Sequence, residues 1–156
     1  MDEQQFMQLA IQKTKEGIAK GQTPFGATIV KDGKVVVVAH NTVWKTTDIT
    51  AHGEVTAIRK ACKKLKTIDL SGCVIYSTCE PCPMCFSAIH WSNISKIVYG
   101  ASIADAHNVG FRELAISNKD MKTMGDSPIE IVSDFMREEC IELFTIFQKR
   151  KGKKLY

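Results

Sequence analysis

His52-Gly53-Glu54 and, some thirty positions later, Cys82-Pro83-Met84-Cys85 read as two halves of one metal site. The chain between them has to fold back on itself for the halves to meet. A tetrahedral zinc site takes thiolate and imidazole ligands, and a catalytic one keeps a position open for water. Cys82 and Cys85 are three apart, so one helical turn presents both sulfurs on one side, and His52 is the third ligand. Glu54 lies two beyond His52, a rotation of about 200° along a helix, so the two side chains share a cavity only at a helix's N-terminal end. A carboxylate there suits general acid/base work. Cys79 forms a second Cys-x-x-Cys with Cys82, which makes 79/82 a competing ligand pair. Pro81 directly before Cys82 favours a helix start at that point, leaving Cys79 at a strand end beside the metal.

A chain of 156 residues with 44% hydrophobic and 24% charged residues has the size and composition of one globular domain, spanning 1–156. Charges run through the first thirty residues, and no apolar stretch approaches a membrane span or a signal core. A cytoplasmic protein with no membrane association is expected. In that compartment the six cysteines are free thiols, with Cys62, Cys73 and Cys140 read as small core residues. The net charge of +4 is concentrated in Lys149-Arg150-Lys151-Gly152-Lys153-Lys154. Such a run is usually a solvated terminus, and a nucleic-acid contact is the sharper, less favoured reading.

Periodicity predicts a helix over 2–20 ended by Gly21, then strands at 27–30 and 34–39 joined by the hairpin signal Asp32-Gly33. A loop over 41–51 leads to a helix at about 52–65, with Val55, Ile58, Ala61 and Cys62 facing inward. Cys73 to Ser77 is a short continuous apolar strand, buried on both faces, that delivers the chain to a helix from Pro81 to about Trp91. A fourth strand at 94–100 is followed by nearly thirty residues, long enough for a parallel crossover, before a fifth strand at 128–132 and a last helix at 133–149. The predicted architecture is α/β: a three-layer α/β/α sandwich with a five-stranded mixed sheet and helices on both faces. Its site lies at strand C-termini capped by helix N-termini.

The paired motif resembles that of the zinc nucleobase and nucleoside deaminases, which carry His-x-Glu and Pro-Cys-x-x-Cys. That resemblance implies the cytidine deaminase-like fold, Zn²⁺ held by His52, Cys82 and Cys85, and Glu54 moving protons between water and a departing amino group. Across nearly the whole chain the sequence looks most like the guanine deaminases, with guanosine deaminases close behind. The residues carrying this are Pro24-Phe25-Gly26-Ala27, Asn41, Thr50 to Cys62, Cys79 to Cys85 and Gly110-Phe111.

That closer likeness implies deamination of guanine to xanthine and ammonia by a homodimer whose segment of about 133–156 is exchanged, so that Tyr156 lines the partner's pocket. Asn41 then hydrogen-bonds the purine, Phe25 and Trp91 contact or stack on the base, and Gly53 lines the pocket where many relatives have Ala. Glu113 matches the second acidic residue, which passes a proton to the leaving amine. Several guanine enzymes have Asp there. Guanosine, tRNA adenosine-34 and cytosine deaminases are the alternatives. The Asp-Trp-Phe-Glu ending of the fungal cytosine enzymes is absent, and Ser102-Ile103-Ala104-Asp105-Ala106 replaces the Lys-Thr-Gly-Ala stretch of the tRNA enzymes.

Overall fold

Asp32 and Gly33 turn the chain through left-handed backbone, with φ of 49° and 69°, which is the geometry a two-residue hairpin needs to match strand twist. The turn joins β1 (Gly26–Lys31) to β2 (Lys34–His40). The computed structural model describes residues 1–156. Its five-stranded sheet has the order β2-β1-β3-β4-β5, where β3 is Cys73–Cys79, β4 Lys96–Ala101 and β5 Glu130–Val132. β1 runs antiparallel to β2 and β3, whereas β3, β4 and β5 are mutually parallel. The mixed sheet is as expected.

α1 (Glu3–Ala19) and α7 (Arg137–Lys149) cover one face of the sheet; α3 (Gly53–Leu65), α4 (Pro83–Trp91) and α6 (Asn118–Met124) cover the other. The short helices α2 (Val43–Thr46) and α5 (Ile103–Asn108) lie in the connections. Along β3, Tyr76 packs toward α1 and α7, and Cys73 and Ile75 toward α3 and α4. Burial on both faces explains why this strand reads as an unbroken apolar run. Truncating a fully buried side chain such as Leu143 on α7 costs about 2–5 kcal/mol. No helix is long and apolar enough to cross a membrane.

Several boundaries depart from the sequence expectation for local reasons. The expected loop at 41–51 contains α2. α1 opens on a capping box between Asp2 and Gln5, and its buried face is Phe6, Met7, Ala10, Ile11, Thr14, Gly17 and Ile18. On α3 the fully buried stripe is Thr56, Ala57 and Ala61, with Ile58 and Cys62 at its margins. β5 is three residues long rather than five, Pro128 having no N–H to give a ladder. α7 starts at Arg137 rather than 133, because Asp134 and Met136 adopt left-handed φ of 58° and 52° and break the helix there. The long crossover resolves into α5, a loop over 109–117, and α6.

Candidate active site and metal centre

His52 and Cys82 are the residues from which α3 and α4 start, each with extended backbone (ψ of 161° and 165°) and no side-chain capping bond. Both side chains are thereby free to meet in front of two helix N-termini. The positive ends of those helices favour thiolates. Cys85, one turn into α4, is fully buried and faces the same point. The Nδ1 of His52 lies 3.6 Å from Cys82 Sγ and 3.5 Å from Cys85 Sγ, and the three candidate ligand atoms all fall within 4.8 Å of one another. A tetrahedral zinc ion bonded at about 2.3 Å to sulfur and about 2.05 Å to nitrogen sets sulfur–nitrogen edges of roughly 3.6 Å. The residues fit zinc. Cys79 does not join them: it is buried, and its Sγ donates to Ser102 O at 3.4 Å. The competing 79/82 pair is therefore not the one assembled.

The two ligand thiols are coupled. Cys82 accepts a hydrogen bond from Cys85 and another from His52, which hold it down to about 4. Cys85, donating to Cys82 and buried, is pushed well above the ordinary thiol range. Without metal the pair therefore keeps one proton.

Glu54, in the first turn of α3, is 5% exposed. Ser77 Oγ, from β3, donates to its Oε1 at 3.0 Å, and Cys85 Sγ approaches its Oε2 at 3.4 Å. Burial, then the Cys82 thiolate, raises its pKa. Ligation of Cys85 removes the thiol proton and leaves Oε2 free to accept one from water.

A cavity of about 300 Å³ opens in front of His52 and Cys82, walled by Phe111, Glu113 and Tyr156 among others. That volume is at the lower end of small-molecule sites. Glu113 reaches the cavity from the loop over 109–117, and its carboxyl is pushed up to about 7, first by burial and then by the nearby Cys82 and Glu54 charges. The Tyr156 ring lies 5.5 Å from the His52 ring and 5.6 Å from Phe111. Its hydroxyl accepts from Asn41 Nδ2 at 2.6 Å and sits 3.1 Å from Thr23 Oγ1.

Four expected substrate contacts are placed differently from the three groups that reach the cavity. Asn41, wholly buried, stands behind Tyr156, with its Oδ1 accepting from Val43 N at 3.0 Å. The Phe25 ring is in the core, packed edge-on against Phe111 at 4.9 Å and Phe144 at 6.0 Å, so it supports the wall rather than forming it. Gly53 faces the strand, not the cavity: a Cβ there would lie 2.9 Å from Gly26 Cα. Its missing side chain lets α3 approach β1. Trp91 is 82% exposed at the far end of α4. Six residues beyond Cys85, it is about 9 Å further along the axis, too far to stack on anything held at the metal. Ser77 was missed by sequence reasoning. A hydroxyl ending an apolar strand run was its only signal.

Residues 1–101 match the family model for the cytidine and deoxycytidylate deaminase zinc-binding region. The chain belongs to that family and is a zinc-dependent hydrolytic deaminase. Among its relatives, the guanine deaminase of Bacillus subtilis (strain 168) is 46% identical over 112 residues, which cover 71% of this chain and 72% of that one. The tRNA-specific adenosine deaminase of the same species is 34% identical over 149 residues, covering 96% of this chain and 90% of the relative. The solved guanine deaminase from Nitrosomonas europaea superposes with a TM-score of 0.86 at 25% identity, over 96% of this chain and 86% of that one.

Proposed function

We propose that the protein converts guanine to xanthine and ammonia. The observation that carries this reading is the buried Asn41 carboxamide seated on Tyr156 at the wall of the cavity that holds His52. These are two of the five residues that the likeness to guanine deaminases assigns to the substrate pocket. The 46% identity to a guanine deaminase supports it further.

Bound zinc supplies Lewis acidity and allows a water to ionise near neutral pH. Glu54 Oε2 is placed to take a proton from the water that adds to C2 and to pass it to the ring nitrogen beside C2. Glu113, with a pKa near the working pH, gives a proton to the amino group, which leaves as ammonia, while the C2 hydroxyl passes its proton to the Glu54 carboxylate and becomes the carbonyl; exchange with solvent then restores both carboxyl groups. Phe111 and Tyr156 close over the ring and exclude bulk water. Purine polar groups need matched partners in such a pocket, because each unpaired one costs about 1–3 kcal/mol. Asn41, released from Tyr156, supplies one.

The active form is taken to be a cytoplasmic homodimer in which the segment of about 133–156 is exchanged between chains. The free state of all six cysteines suits a reducing compartment. An exchanged tail would repeat the contacts that Tyr156 and Lys154 make with Asn41 and Trp44 in one chain. Mixing a His52→Ala chain with a chain lacking 153–156 tests the exchange: recovered activity supports it, and none argues that each tail serves its own site.

A second reading is tRNA adenosine deamination. It is favoured by the longer span of likeness to a tRNA-specific enzyme and by the basic tail that leads into Tyr156, where Lys154 Nζ lies 5.3 Å from the Trp44 ring centre. Purified protein is incubated with guanine, guanosine, cytosine and a tRNA anticodon arm, scoring ammonia and inosine. Guanine is expected to be the best substrate. Turnover of the RNA alone selects the second reading.

A further inference from the structure

Glu80 is a carboxylate 7% exposed, between β3 and the metal-binding turn, and the chemistry described above does not use it. No lysine or arginine pairs with it. Its charge is instead met by two backbone N–H groups at helix starts. Ile103 N, the first residue of α5, donates to Oε2 at 3.1 Å, and Asn118 N, the first of α6, donates to Oε1 at 2.8 Å. A charge-assisted bond of this kind is about twice as strong as a neutral one, and the helix ends add to it. A third tie lies beside these: Asn118 Nδ2 donates to Pro81 O at 2.6 Å, next to the ligand Cys82.

The chain between those two helices is the loop over 109–117, which carries Phe111 and Glu113 to the cavity. The Glu113 carboxylate has no protein partner of its own, and only its backbone N–H is tied, to Phe111 O at 2.9 Å. With Phe111 held in the core on one side of it, the position of Glu113 relative to Cys82 depends on how the rest of the loop is anchored at its ends. Both anchors converge on residues 80 and 81, adjacent to the metal ligand.

We infer that Glu80 is a positioning residue that holds Glu113 at its working distance from the metal centre. This rests on the proton-donating role given to Glu113 above. Glutamine at position 80 keeps the shape but carries one acceptor oxygen, and its NH₂ would face one of the two N–H donors. One end of the loop is then released. A shift of about 1 Å in a catalytic group can cost on the order of 100-fold in rate.

The test is a double-mutant cycle with guanine as substrate: wild type, Glu80→Gln, Glu113→Gln and both together, with zinc content measured for each. Glu80→Gln is expected to lower kcat about 10- to 100-fold with KM changed less than threefold and zinc near one per chain. In the Glu113→Gln background it should lower kcat by less than twofold further. An equal loss in both backgrounds, or an unchanged kcat in Glu80→Gln alone, overturns the inference. A Glu113→Gln enzyme with wild-type kcat overturns instead the role of Glu113, and this inference with it. Should Glu80→Gln fail to accumulate as folded protein, Glu80→Asp enters the same cycle. It keeps the charge, is one methylene shorter, and is judged by the same outcomes.

Discussion

The Asn41 carboxamide nitrogen donates to the Tyr156 hydroxyl across 2.6 Å, joining the end of β2 to the tail at the point where the cavity meets the core. Tyr156→Phe keeps the ring against His52 and Phe111 but leaves Asn41 Nδ2 buried without an acceptor. That costs about 1–3 kcal/mol, and for a chain of this size each kcal/mol lowers Tm by about 2–4 °C. A thermal scan that shows no change would mean Asn41 finds another acceptor at once. Removing residues 153–156 should instead leave Tm within a few degrees and raise KM for guanine at least tenfold, as read by steady-state kinetics.

Glu54 is buried against Ser77 and Cys85, the only carboxylate in contact with a ligand sulfur. Glu54→Gln preserves shape and can still accept from Ser77. It should reduce kcat by at least 10³-fold, in line with loss of general acid/base catalysis and its proton transfers, while zinc by elemental analysis stays near one per chain. Substantial residual turnover would transfer the role of base to another group.

Glu113 donates its proton only when protonated, so activity should fall as pH rises through its pKa. Burial and neighbouring charges push that value up to about 7 in the metal-free protein. Zinc cancels part of the Cys82 charge, so the alkaline limb of kcat falls at or somewhat below pH 7. Glu113→Gln should abolish that limb and lower kcat about 10²-fold. A limb that persists in the variant belongs to a different group.

Zinc must displace the proton that Cys85 retains, whereas Cys82 is already ionised at neutral pH. Metal binding therefore releases at least one proton, and zinc affinity rises with pH by about tenfold per unit for each proton released. Titration of chelator-stripped protein with zinc in weak buffer, followed by a pH indicator, measures the number directly. Zero release would require Cys85 to be ionised beforehand, contrary to its buried setting.

The metal trio was legible because it depends on local rules. A Pro before Cys82, a three-residue spacing and a His opening a helix specify side-chain directions without knowledge of the rest of the fold. The five strands and the mixed character of their sheet were legible for a similar reason, through the Asp32-Gly33 turn and the long crossover. What could not be read were contacts made across the chain. Gly53 owes its identity to the backbone of Gly26, which is remote in sequence. Phe25 supports Phe111 from the core, and Trp91 is carried away from the site by the direction of α4. Glu80 lay inside the motif, yet its partners, Ile103 and Asn118, are known only once the sheet has brought the starts of α5 and α6 to the end of β3.

His52, Cys82, Cys85 and Glu54 all sit on the first turns of two helices packed on the sheet, while Phe111 and Tyr156, the aromatic walls of the cavity, arrive on a loop and a tail. The reacting centre and the surfaces that choose its substrate thus belong to mechanically separate parts. Sequence drift in the second set can redirect such an enzyme toward a new heterocycle at little cost to the bond-breaking apparatus. One scaffold can in this way diversify its clientele while its ion and its base stay put.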